Sequence, residues 1–258
     1  MNRRREYSEI TEAAGQKATE EQVQRLFQRY RFALDYIKDK DVLEAACGTG
    51  IGLGYLKKTA KTITGIDIDE KNLNGARGHD TGAVIRRMDA ESLSFVEKSF
   101  DAVLLYEAVY YLKEPERFVK EAHRVLRKNG VLIVSTVNKD WEDFHPSPYS
   151  TRYLSAPELY SLLKERFKEV NIFAGFRADK KGMRKKTLSI IKRTAVNLNL
   201  VPGSLKARAH LKRLFMGRLK ALPDEVYDGM AEYAAPVPIS GAMANRDFKI
   251  LYAVAVKA

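Results

Sequence analysis

Two carboxylates bracket a turn of small residues. Glu44 precedes Ala45-Ala46-Cys47-Gly48-Thr49-Gly50, and Asp67 lies near the end of the next apolar run, residues 62–69. Small residues at the carboxyl end of a strand let a ligand approach the backbone, and acids on neighbouring strand ends can accept its hydrogen bonds. Two phosphate-binding readings fail on spacing. A dinucleotide G-x-G-x-x-G beginning at Gly48 meets Leu53 at its last position, and later frames meet Tyr55 or Lys57. No Gly-Lys-Ser or Gly-Lys-Thr follows, so a P-loop is excluded as well. Cys47 has no histidine in a matching position and reads as a small turn residue. His79, His123, His145 and His210 show no metal-ligand spacing, so no structural metal is expected.

The elements that must hold these residues alternate. Thr19 with Gln22 fits a capping box ahead of a helical stripe running from Val23 to Ile37. DVLEAACGTG, from Asp41, reads as a strand running directly into the glycine-rich turn, and further strands are predicted at 62–69, 84–88, 100–107 and 130–136. Helical stretches separate them, the clearest running from Glu114 to Lys128 with Asn129-Gly130 as its stop. A helix after Pro157 leads to a sixth strand, EVNIFAGF, and FKILYAVAVKA closes the chain as a seventh. Such alternation predicts an α/β, doubly wound, mostly parallel sheet covered by helices on both faces.

Composition bounds the class. The chain has 258 residues, 45% of them apolar, enough for a substantial core, and disorder is excluded. A single cysteine cannot form an internal disulfide, and no apolar run of membrane-spanning length occurs, which points to a cytoplasmic protein. The net charge of +12 is local: residues 177–220 hold fourteen Lys and Arg against Asp179 alone, leaving 31 bases and 32 acids elsewhere. That segment opens an insertion, 177–247, which the alternating pattern does not need. Ser204 as an N-cap, followed by a Leu205, Leu211, Leu214, Phe215, Leu219 and Leu222 stripe, predicts a basic helical cap. The expected domains are therefore 1–176 with 248–258, and the cap at 177–247.

Together these residues resemble the class I S-adenosylmethionine-dependent methyltransferases, whose first motif has the form [DE]-x-G-x-G-x-G and whose second strand ends in an acid. Ala46 stands where that motif has its first glycine. MDAESLSF, FDAVLLYEAVYYL and HRVLRKNGVLIVST resemble the later motifs, in order. The resemblance implies a seven-stranded sheet of order 3-2-1-4-5-7-6 with strand seven antiparallel, and S-adenosylmethionine as cofactor. It implies that Glu44 orients the methionine end, that Gly48 and Gly50 leave room, and that Asp67 accepts the ribose hydroxyls. It also implies that Asp89, followed by Ala90, reads the adenine, with Tyr30, Ala46, Thr49, Ile68 and Tyr106 completing the cofactor site.

The implied reaction is an in-line displacement on a sulfonium methyl group, and a hydroxyl acceptor also requires a base. His145, in the polar aromatic stretch after the fifth strand, is the first candidate, with Glu107 next and Asp143 and Tyr111 behind them. A basic cap beside the carboxyl end of strand six implies an anionic acceptor. The choices are a small molecule, saccharide or lipid-linked saccharide near a membrane surface, or RNA. The amphipathic stripe at 205–222 favours the first, since only Phe215 is available there for base stacking. O-methylation of such an acceptor is the leading expectation. The alternatives are an RNA methyltransferase and a cofactor-binding adaptor without turnover.

Overall fold

The computed structural model describes residues 11–79, 81–147, 149–178 and 219–258. Its first long element follows from its cap. Thr19 accepts from the Gln22 backbone and Gln22 reaches back to the Thr19 N–H, so α1 (Glu20–Ile37) starts there, after a two-residue strand β1 (Lys17–Ala18). Strands β2 (Asp41–Ala45), β3 (Thr62–Asp67), β4 (Val84–Arg87) and β5 (Phe100–Tyr106) alternate with α2 (Leu53–Lys57) and α3 (Glu70–Arg77). A 3-10 turn (Val109–Tyr111), α4 (Pro115–Val125), β6 (Leu126–Val137), α5 (Ala156–Lys164) and β7 (Glu169–Arg177) follow. Beyond the insertion come β8 (Lys220–Ala221), β9 (Val237–Ile239) and β10 (Phe248–Val256).

The main sheet has the order β4-β3-β2-β5-β6-β10-β7-β9. The seven strands expected from sequence take the expected order, and β10 is antiparallel to both β6 and β7. The difference is β9, an eighth strand on the edge beside β7. Both faces of the central strands β2, β5, β6 and β10 are largely buried, which explains their nearly continuous apolar runs. Leu26, Ala33 and Ile37 of α1 and Leu53 and Leu56 of α2 pack on the face presented by Val42, Leu104 and Tyr252. Phe118 and Val119 of α4 and Leu159 and Leu163 of α5 cover the opposite face, against Val103, Leu132 and Leu251.

Two elements differ from expectation. The helix expected to reach Lys128 stops at Val125, because Leu126 pairs with Phe100 as the first residue of β6. Asn129 takes a left-handed φ of 61° and donates to the Lys257 carbonyl at 2.9 Å, so Asn129-Gly130 marks an irregularity within the strand and not a helix end. Tertiary pairing overrides the helical period there.

The second difference concerns the helical cap. Residues 179–218, with most of the basic charge and the Leu205–Phe215 part of the stripe, lie outside the described residues. Residues 219–247 are described and contain no helix: β8 pairs antiparallel with β1, and Leu222, expected on the helical stripe, is buried against the α1 face. Among the described residues, no helix is long and apolar enough to cross a membrane.

Candidate active site

A cleft of about 1050 Å³ opens where β2, β3, β4 and β5 end. Its floor is the turn after β2. Ala46, Gly48 and Gly50 all take left-handed φ values, 56°, 58° and 73°. Ala46 thus holds, with a side chain, the backbone shape that glycine adopts freely, at a cost of about 1–2 kcal/mol. Asp67 fixes the turn from the next strand: one carboxylate oxygen accepts the Gly48 N–H at 2.9 Å and the other accepts the Asp69 N–H at 2.8 Å. Gly50 is a packing requirement, since a Cβ there would lie 2.8 Å from the Ala76 Cβ on α3.

Glu44 is 1% exposed, at the end of β2. Tyr30 Oη, from α1, donates to Glu44 Oε1 at 2.7 Å, and Oε2 is buried with no partner. Burial pushes the Glu44 carboxyl up to about 7, aided by Asp67 and opposed by the Tyr30 hydrogen bond and the Arg29 cation. The folded chain therefore holds a proton on Glu44 that the unfolded chain releases, so Glu44 makes the free protein less stable as pH rises from the ordinary carboxylate range through about 7. A cationic ligand group needs the ionised form, so its affinity is expected to rise over the same window. Calorimetric titration with S-adenosylhomocysteine at pH 6 and pH 8 checks this, and Glu44→Gln should flatten the dependence.

The Tyr30 ring meets Tyr106 edge-on, with centroids 5.3 Å apart, and Tyr106 Oη is a second buried polar atom without a partner. Directly after it, Glu107 takes φ 50°, donates its N–H to the Ser135 carbonyl at 2.9 Å and accepts from Tyr110 Oη at 3.0 Å. Burial raises the Glu107 carboxyl above the ordinary range, against the pull of Arg29 and Arg25.

Tyr30, Glu44, Ala46, Gly48, Asp67, Ile68, Asp89, Ala90, Tyr106 and Glu107 all line this cleft, as does Tyr111. Thr49 and Gly50 lie in the turn beneath it. His145 is not brought there: it stands exposed on the loop after β6. The neighbouring Phe144 turns inward against Tyr153, which stacks on Tyr110, and this leaves His145 facing solvent. Asp143 does not line the cleft either.

Sequence reasoning missed several participants. Arg25 and Arg29 line the cleft from α1, Thr11 and Glu12 cover it from the preceding segment, and Gly52 makes room for Tyr30. Thr49 Oγ1 donates to the Glu12 carbonyl at 2.9 Å, and Asn72 Nδ2 donates to Thr11 Oγ1 at 3.0 Å. Arg25 and Arg29 fall on the helical face read as core; a cation repeated at i, i+4 within an apolar stripe was the available signal.

This arrangement, a glycine-rich turn between two strand-end acids in a doubly wound sheet, defines a Rossmann-like methyltransferase fold. The structure aligns with an S-adenosylmethionine-dependent methyltransferase from Thermotoga maritima at a TM-score of 0.58 and 20% identity, over 92% of both chains. Residues 43–134 match the family model described as a methyltransferase domain. A Mycolicibacterium smegmatis protein named "Probable S-adenosylmethionine-dependent methyltransferase" is 35% identical over 129 residues, 48% of this chain and 50% of its own. A fatty-acid O-methyltransferase of the same organism is 36% identical over 101 residues, 38% of this chain and 37% of its own. The chain thus spans half or less of the length of these relatives. It carries a domain of the class I S-adenosylmethionine-dependent methyltransferase family.

The cofactor of that family is S-adenosylmethionine, and the residues present fit it. Glu44 Oε2 is a buried acceptor without a donor, and Asp67 is an acid held at the rim by two backbone N–H groups.

Proposed function

We propose that this chain O-methylates a small-molecule, saccharide or lipid-linked acceptor, and that Glu107 takes the acceptor proton. When bound, S-adenosylmethionine supplies an electrophilic methyl group on a sulfonium. Glu44, Asp67 and Asp89 hold the cofactor, and the Tyr110–Tyr111 wall orients the acceptor beside it. Glu107 carries the reading: a partly enclosed carboxyl with a raised pKa, next to the cofactor floor and fixed by Tyr110. A base is needed for a hydroxyl acceptor, because an alcohol oxygen must lose its proton as the methyl group arrives, whereas a carboxylate acceptor has none to lose. The fatty-acid specificity named for one relative supports an apolar portion.

The test is methyl-labelled S-adenosylmethionine incubated with the protein and a cell lysate, with the product separated into RNA, protein, lipid and small soluble fractions. Label in the lipid or small soluble fraction is expected. Nuclease-sensitive label would overturn the acceptor class. Glu107→Gln should lower kcat about 10²- to 10⁴-fold, the range of general-base catalysis, with S-adenosylhomocysteine affinity unchanged. An unaltered kcat would remove Glu107 from the reaction.

A further inference from the structure

Beyond the cofactor floor, α1 brings another cation to the cleft. Arg25 lies one helical turn before Arg29, further from Tyr30 and Glu44 and beside the strands on the far side of β5. Two groups hold it there. The Phe176 ring, at the carboxyl end of β7, has its centroid 5.6 Å from the guanidinium, and Glu21, one turn earlier on α1, forms an ion pair with it. Phe176 takes a left-handed φ of 59°, a costly shape for a bulky side chain. It falls between the Gly175–Ile250 and Arg177–Phe248 pairs of the sheet, opposite Lys249, and this irregular backbone sets its ring against Arg25.

The charges at this rim do not balance. Glu21 also pairs with Lys249 at 2.6 Å, so Glu21, Arg25 and Lys249 together carry one net positive charge. Lys249 is held over the Trp141 ring, 5.7 Å from its centroid, and does not line the cleft, whereas Arg25 does. Glu12, the acid that lines the cleft beside α1, is engaged by Arg29. Arg25 Nε is buried with no partner, so the guanidinium keeps a donor in reserve as well as unshared charge. Glu107 lines the same cleft from the end of β5, within the electrostatic reach of Arg25.

We propose that Arg25 selects the acceptor: it binds an anionic group, a carboxylate or a phosphate, that the acceptor carries apart from the hydroxyl deprotonated by Glu107. This rests on the O-methylation reading above. A guanidinium fork suits either oxyanion, because its N–H donors lie in one plane and meet two oxygens at once. Phe176 fixes the orientation of that plane through a cation–π contact. Glu21 sets the strength of the site, since a carboxylate divided between two cations leaves Arg25 with charge to spend on a ligand.

The test is isothermal calorimetry on the full chain, saturated with S-adenosylhomocysteine, using octanoate, octyl phosphate and 1-octanol as probes. At least one anion is expected to bind about 10- to 100-fold tighter than the alcohol, the scale of charge-assisted hydrogen bonds, and the better of the two identifies the source of the charge. Arg25→Met should erase that preference, Arg25→Lys should restore part of it, and S-adenosylhomocysteine affinity should stay within threefold in both. Glu21→Gln should tighten the preferred anion about threefold, the scale of a partly exposed ion pair, an effect opposite in sign to that of a damaged fold. Equal affinity for the three probes, no binding of either anion, or a preference that survives Arg25→Met would each overturn the proposal. So would a loss of S-adenosylhomocysteine affinity in Arg25→Met that matches the loss of anion binding, which would make Arg25 a structural residue. Methyl label recovered from a lysate in a neutral lipid or saccharide would overturn this inference and leave O-methylation standing, whereas label in RNA would overturn both.

Discussion

Asp67→Asn is expected to weaken S-adenosylhomocysteine binding about 100-fold and to lower the melting temperature by about 5–10 °C, although it changes one oxygen to a nitrogen. Both Asp67 oxygens accept a backbone N–H, from Gly48 and from Asp69. A carboxamide can accept at only one of them; at the other, its NH2 group faces a second donor. Leaving a buried N–H without an acceptor costs about 1–3 kcal/mol, and losing a charged acceptor adds to that. For a chain of this size about 2–4 °C accompanies each kcal/mol. Gly48 then loses its tether on the cofactor side of the turn, so binding suffers beyond the loss of Asp67 as a ligand. Asp67→Ala removes both acceptors and should be at least as damaging. Calorimetric titration and differential scanning calorimetry on the two variants check this, and cofactor affinity within threefold of the parent would overturn the assignment of Asp67.

Gly52→Ala should be the most disruptive single methyl in the site. A Cβ at position 52 would lie 2.0 Å from two Tyr30 ring carbons, far inside van der Waals contact. The ring cannot retreat freely, because it is 2% exposed and meets Tyr106 edge-on. Either the turn or the ring moves, and overpacking of this kind costs about 1–3 kcal/mol. If the ring moves, Tyr30 Oη leaves Glu44 and a buried carboxyl loses its one hydrogen bond. The expected result is a melting temperature lower by about 5 °C or more, with cofactor affinity reduced tenfold or more. Adding Tyr30→Leu should recover part of the stability, by relieving the clash, without recovering affinity. A Gly52→Ala protein that melts and binds like the parent would show that Tyr30 is not held at this position.

The sheet was legible because its information is local. Each strand is an apolar run ended by a turn signal, and the order of the seven strands follows once the glycine-rich turn after β2 is recognised. Edge pieces were not legible: β9 is three residues containing Pro238, and β1 and β8 are two residues each, too short for any period. Asn129-Gly130 misled for a physical reason, since the same dipeptide that ends helices also accommodates a strand irregularity. In the site, strand-end acids could be read from spacing alone. The place of Arg29 in the cleft could not, because it comes from burial and from the ion pair with Glu12, seventeen residues earlier, neither of which a sequence displays. His145 was attractive as a titratable residue in a polar loop, but side-chain direction there is decided by the Phe144–Tyr153–Tyr110 stack.

The strain at the cleft carries a lesson for laboratory evolution. Ala46 and Glu107 end neighbouring strands in left-handed backbone, a conformation that glycine tolerates and other side chains resist. A library selected for heat resistance alone should therefore enrich Ala46→Gly and Glu107→Gly early, each gaining about 1 kcal/mol or more from relief of strain. The two gains would differ in cost. The first restores a residue that the family motif already uses, whereas the second discards the carboxyl on which turnover is proposed to depend. Sequencing survivors before and after adding an activity screen would separate them: the position 46 change should persist, and the position 107 change should vanish.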